Sequence, residues 1–259
     1  MTLAALSLLW SLAAPLQSPW REVAPGVETA TAADLGGDAN WAAKVILVDP
    51  QKARFAVRFD SRKPTLAEWR ERYPTAIAIA NGSFYSADGG DVRPTCEIVQ
   101  DGRRVKGAGC QRQDALWFGA QRREAKPVAQ SRAATASRPP RFFAPADFVP
   151  DEWSEALKSF PTLVRAGAAT CAGPHYCAES SRTAAIGQLR DGRILLFASQ
   201  WPAIRRDVAR WLSDALGTLD AVNLDGGPEA MLSLHGEPLE DVIGTYGRGL
   251  PLVLLVLPP

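Results

Sequence analysis

The 259-residue sequence has no excess of charge of either sign. Its 29 lysines and arginines stand against 28 aspartates and glutamates, for a net charge of +1. No overall field directs the chain to nucleic acid or to an anionic membrane, so any anion must be bound by a local arrangement. Histidine is nearly missing, with only His175 and His235, and both are assigned surface or structural roles. Cysteine occurs four times without a C-x-x-C, and a zinc site would need ligand spacings that are absent here. The longest uncharged apolar run, residues 2–14, is too short for a membrane span and has the length of a signal-peptide core. A cleavable leader over residues 1–18 is therefore expected, with no stable membrane insertion after its removal. There is no internal repeat.

What is present suits one large domain, 19–259, because 46% hydrophobic residues are enough for a sizeable core. Cys96, Cys110, Cys171 and Cys177 fit an oxidising compartment, so the chain is expected in the periplasm or outside the cell. Four cysteines allow three connectivities, and spacing does not choose among them.

Alternating and β-branched stretches predict strands at Val23–Thr31, Trp41–Val48, Arg54–Phe59, Thr75–Ala80, Ala115–Gly119 and Leu250–Leu257. Trp41–Val48 and Arg54–Phe59 are expected to pair across Asp49-Pro50. Asp101-Gly102 and Asp191-Gly192 each sit between apolar arms and predict hairpins. Thr65 with Glu68 forms a capping-box pattern for a short helix to Arg72. Ile204, Val208, Trp211, Leu212 and Ala215 share one face of a second helix, and Glu152–Phe160 suggests a third. Between Gln121 and Arg141 the sequence turns basic and polar, as a flexible surface loop does.

The chemistry concentrates where strands end. Residues 220–232, DAVNLDGGPEAML, run from an apolar strand into Asp225, then Gly226, Gly227, Pro228 and Glu229. Paired glycines bring the backbone close to a ligand, and proline suits a first helical position. By itself this pattern is an ordinary turn. A second apolar strand ends in the same manner on NGSFY, residues 81–85, and Arg182 precedes the first arm of the Asp191-Gly192 hairpin.

NGSFY at 81–85, PTLV at 161–164, SRTAAIG at 181–187 and NLDGGPEAM at 223–231 together resemble, in order and spacing, the phosphodiester glycosidase family. That family includes an enzyme that removes N-acetylglucosamine from a phosphodiester on lysosomal glycans, and many exported bacterial proteins. The resemblance implies an α+β fold of mixed curved β-sheets with flanking helices. It also implies hydrolysis of a sugar-1-phosphodiester or phosphoglycan, with Asp225, Arg182 and Glu229 as catalytic candidates. Asn81, Gly82, Thr183, Asn223, Gly226 and Gly227 are the matching substrate-binding candidates. Ser83 stands where a second glycine is common in the family, and Glu229 where serine is common.

Such a reaction needs charge handling at the phosphate and a carboxylate at the anomeric carbon. Arg182 suits the first by bidentate binding, with Gly226 and Gly227 N–H groups as further donors. Asp225 and Glu229 suit the second, because glycosidases divide acid and base roles between two carboxylates. No cofactor is expected. Two alternatives use the same residues: a non-catalytic envelope protein that binds a glycan phosphate, and a metal-assisted phosphodiesterase in which Asp225 and Glu229 hold a divalent cation.

Overall fold

A computed structural model describes residues 18–122, 139–245 and 247–259. The expected leader, apart from Ser18, and most of the basic stretch at 121–141 lie outside the described residues.

The largest sheet has eight strands, in the spatial order Arg21–Ala24, Val27–Thr31, Ala43–Val48, Ile194–Ser199, Ala184–Leu189, Thr218–Asn223, Thr162–Arg165 and Ala168–Ala169. Its central strands are apolar at nearly every position because both faces are covered. Ile46, Val48, Ile194 and Leu196 point into a core shared with the other sheets. Val45, Leu47, Leu195 and Phe197 point the other way, under helix Arg205–Asp214.

A four-stranded sheet, Leu232–Leu234, Ala78–Asn81, Leu252–Leu257 and Arg54–Phe59, closes the shared core from the opposite side. Leu252–Leu257 lies between two neighbours and is buried throughout, as its sequence predicts. Helix Leu66–Arg72 covers the outer face of this sheet through Leu66 and Trp69, and its N-terminus carries the expected Thr65–Glu68 capping box. A five-stranded sheet, Arg141–Phe143, Leu116–Arg122, Trp153–Ser159, Ile98–Gln100 and Arg103–Val105, adds Ile98, Phe118 and Leu157 to the same core. The molecule is thus mostly β, with only two α-helices among the described residues. The cysteines are joined as Cys96–Cys110 and Cys171–Cys177.

Three expectations are corrected. Residues Trp153–Ser159 of the expected third helix form a strand, buried on both faces, with Glu155 only 4% exposed. Glu155 is buried on Arg58 and the Val57 N–H, which places a charged residue inside a strand. Ala43–Val48 and Arg54–Phe59 do not pair; the chain crosses at Asp49-Pro50 from the eight-stranded to the four-stranded sheet. In the second helix, Ile204 and Ala215 are exposed and Arg205 is buried, so the buried face is Val208, Ala209, Trp211 and Leu212 with an arginine at its head. The remaining predicted hairpins occur where expected, and Val23–Thr31 is itself split by the Pro25-Gly26 turn.

Candidate active site

Strands Ala78–Asn81 and Thr218–Asn223 belong to different sheets and finish side by side. The Asp225 N–H donates to the Gly82 carbonyl at 2.9 Å. Asn81 Nδ2 donates to the Asp225 carbonyl at 2.7 Å, and Asn81 Oδ1 accepts from the Met231 N–H at 2.9 Å. Asn81 is buried, and its side chain ties both ends of the Asp225-to-Met231 turn to the neighbouring sheet. Gly82 is required by packing, since a Cβ there would lie 2.5 Å from Leu252 Cγ.

The next layer is the segment around Arg182. A Cβ on Gly226 would meet the Arg182 carbonyl oxygen at 2.7 Å, so this turn and that segment are in backbone contact. Gly227 sits at φ +61°, a conformation that favours glycine, and its N–H donates to the same carbonyl at 2.8 Å. Arg182 returns the contact through its side chain. Its Nε donates to the Gly227 carbonyl and its Nη2 to the Pro228 carbonyl, each at 2.8 Å, with Thr245 Oγ1 at 3.3 Å from Nη2. Burial lowers the Arg182 pKa, Glu229 opposes that shift, and the positive Arg248 adds to it.

Asp225 is pushed up to about 8, by burial first and by the negative Glu229 second. The Gly226 N–H, Arg248 and Arg205 pull in the other direction without prevailing. At neutral pH the Asp225 carboxyl therefore holds its proton. Glu229 lies in the short turn Gly227–Glu229, 8% exposed, with Oε1 accepting from Arg248 Nε at 2.8 Å and from the Tyr85 hydroxyl at 3.2 Å. Arg248 Nη2 bonds to the same oxygen, and this ion pair raises the Arg248 pKa. Lys63 stands over the Tyr85 ring, 4.9 Å from its centroid. The site thus combines a protonated acid, a paired carboxylate and a margin of cations.

Asp225, Glu229, Arg182, Gly226 and Gly227 come together. Thr183 and Asn223 are buried beside them with their bonds directed to the protein. Thr183 Oγ1 donates to the Ala203 carbonyl at 3.2 Å, and its N–H donates to Ser199 Oγ at 2.9 Å. Asn223 Nδ2 bonds the Leu224 carbonyl, while its Oδ1 is buried without a partner among the described residues. Ser83 Oγ donates to the Lys158 carbonyl at 2.8 Å, tying the loop to the five-stranded sheet.

Sequence reasoning missed Arg248, Tyr85 and Arg205. Tyr85 ends the N-G-S-F-Y motif and was available there, whereas Arg248 lies in a polar segment with no local signature. Arg205 is buried behind the turn, with Nη1 donating to the Tyr176 carbonyl at 2.7 Å and Nη2 to Ser181 Oγ at 3.0 Å. Among the described residues, no three His, Cys, Asp or Glu side chains gather as a metal site.

The model of the phosphodiester glycosidase family matches residues 74–257, which include every site residue named above except Lys63. The chain belongs to the phosphodiester glycosidase family. Its fold resembles the catalytic domain of zebrafish N-acetylglucosamine-1-phosphodiester alpha-N-acetylglucosaminidase, in a form auto-inhibited by its pro-peptide. The two share 16% identity at a TM-score of 0.60, over 84% of this chain and 77% of that one. A Burkholderia pseudomallei K96243 protein described as exported aligns at a TM-score of 0.59 and 16% identity, over 83% and 74% of the two chains. A hypothetical protein from Synechocystis aligns at 0.54 and 13%, over 84% and 59%. No curated protein shows significant sequence similarity to the chain.

Proposed function

We propose that the chain is an exported hydrolase that cleaves the bond between an anomeric carbon and a phosphodiester oxygen, releasing a sugar and a phosphomonoester. The observation that carries this reading is the pairing of a carboxyl that holds its proton, Asp225, with an ion-paired carboxylate, Glu229, beside arginines. Environments that push two carboxylates apart in pKa are how acid and anionic roles are divided in glycosidases.

In this reading Arg182 and Arg248 hold the phosphate oxygens by charge-assisted hydrogen bonds. As the bond from C1 to the bridging oxygen breaks, its electron pair goes to the phosphate and the Asp225 proton goes to that oxygen. Glu229 balances the positive charge that builds at C1. Water then adds to C1 and gives its proton to the Asp225 carboxylate, which restores the acid. Asn81 fixes the Asp225 backbone and acts as a positioning residue. The two disulfides support an oxidising compartment and therefore export.

Hydrolysis of N-acetylglucosamine-1-phosphate diesters by the purified protein tests the proposal. Turnover is expected in the wild type and a loss of about 10²–10⁴-fold in Asp225→Asn. Equal turnover in wild type, Asp225→Asn and Arg182→Ala would remove these residues from the reaction.

A further inference from the structure

Lys63 holds a backbone φ of +57°, in the left-handed region that a lysine seldom enters. Such a conformation persists only where its surroundings fix it, and beside a site it points to a function. Three contacts fix it here. The Lys63 N–H donates to the Asp60 carbonyl at 3.1 Å, and the carbonyl of the next residue, Pro64, accepts from the Leu250 N–H at 2.8 Å. Gly249 packs so closely that a Cβ on it would strike the Lys63 carbonyl oxygen.

The Lys63 ammonium lies over the Tyr85 ring, whose hydroxyl donates to Glu229 at 3.2 Å. A cation above an aromatic face keeps its three N–H donors for a further partner. Neither nearby acid supplies one. Asp60 is taken by Arg62 and Arg72, each at 2.7 Å, and Glu229 is taken by Arg248. Lys63 has no ion pair of its own among the described residues.

One short stretch of chain joins this ammonium to the two arginines of the site. Thr245 Oγ1 accepts from Arg182, Arg248 bonds Glu229, and Gly249 packs on Lys63. With the Asp225 carboxyl protonated, three cations stand against the single carboxylate of Glu229. Arg205 behind the turn does not alter this balance, because Glu179 pairs with it at 3.1 Å. A phosphodiester brings one negative charge, which leaves one positive charge without a counterpart.

We infer that Lys63 is a specificity-determining residue that binds a second anionic group, carried by the alcohol of the phosphodiester. This rests on the proposed function, in which Asp225 and Glu229 face the sugar and the alcohol side is left to the cations. The phosphomonoester released from the natural substrate then bears a carboxylate or a further phosphate.

Three diesters of N-acetylglucosamine-1-phosphate test this, with ethanol, the hydroxyl of glycolic acid and the hydroxyl of ethylene glycol monophosphate as their alcohols. In the wild type, KM for at least one charged diester should lie about tenfold below that of the ethyl diester, as a charge-assisted hydrogen bond provides. Lys63→Asn, which tolerates a left-handed backbone, should erase that preference and leave KM for the ethyl diester unchanged. Lys63→Arg should restore it, and the two charged arms report whether a carboxylate or a phosphate is taken. Equal KM for all three diesters in the wild type, or an equal change for charged and ethyl diesters in Lys63→Asn, would overturn the inference. Calorimetry reads the contact without turnover: wild type should bind 2-phosphoglycolate or ethylene glycol bisphosphate at least tenfold more tightly than ethyl phosphate, and Lys63→Asn should not discriminate. Absence of discrimination in the wild type contradicts the role of Lys63, whereas discrimination with no diester hydrolysis contradicts the proposed function alone.

Discussion

Burial raises the pKa of both Glu155 and Asp225, and the fold gives the two carboxyls different partners. Glu155 accepts from the Val57 N–H at 2.8 Å and from Arg58 Nη1 at 2.9 and 3.0 Å, where the five-stranded sheet meets strand Arg54–Phe59. Its pKa is raised, by burial first, with the Val57 N–H and Arg58 holding the rise back, and the carboxylate serves as a joint between sheets. Asp225 receives the Gly226 N–H and no side-chain donor among the described residues, while Glu229 adds negative charge nearby. A carboxyl that is buried, unpaired and set beside another acid is destabilised as an anion, and it serves as a proton donor at neutral pH. Glu155 is the more deeply buried residue, and the difference that matters between the two acids is therefore in their partners.

Exchanging each acid should separate rate from stability. Asp225→Asn is expected to lower kcat by about 10²–10⁴-fold while stability at neutral pH is kept or raised, because the amide stays neutral without taking up a proton, which steady-state kinetics and urea titration check together. Glu155→Ala leaves the half-buried Arg58 with Asp101 alone, at 3.1 Å, and strips the buried Val57 N–H of its acceptor, so it is expected to cost about 1–3 kcal/mol of stability with activity per folded molecule kept. If both substitutions lowered stability alike, the contrast between the two acids would fail.

Smaller effects sharpen the same comparison. Arg182→Ala removes a charge-assisted contact of about 1.5–3 kcal/mol, so KM for a phosphodiester should rise about 10- to 100-fold. The loss of activity with rising pH should follow one deprotonation near pH 8, the value to which Asp225 is pushed. Glu229→Ser, which restores the serine common in the family, removes the second cause of that shift and should move the limb to lower pH. The same shift is linked to stability, by about 1.4 kcal/mol for each pH unit between 3.8 and about 8. Folded Asp225 binds a proton that the unfolded chain has released above its ordinary value of 3.8, so stability falls as pH rises from about 4 to about 8 and is level beyond that. Asp225→Asn should remove this slope.

Much of this site is legible in the sequence because its parts are local. Asn81-Gly82 and Asp225-Gly226-Gly227 combine strand ends with turn chemistry, and the Thr65–Glu68 box and the Asp191-Gly192 hairpin are equally short-range. What the sequence hides depends on which segments meet. Glu152–Phe160 suggests a helix until Glu155 is placed on Arg58 and the Val57 N–H, within the buried strand Trp153–Ser159. Arg205 likewise reads as helix surface, although it lies under the Asp225 turn. Arg248 has no motif of its own, and its role comes entirely from the arrival of Glu229 and Tyr85. The pairing of Ala43–Val48 with Ile194–Ser199 instead of its sequence neighbour is set by the shared core, which no single segment specifies.

The position of bond cleavage tests the central claim most directly. Hydrolysis of an N-acetylglucosamine-1-phosphodiester in oxygen-18 water places the label where water attacks. With Asp225 and Glu229 acting at the anomeric carbon, the label is predicted in the anomeric hydroxyl of the released sugar and not in the phosphomonoester. Label in the phosphate would mean attack at phosphorus, and would contradict the roles assigned to both carboxylates.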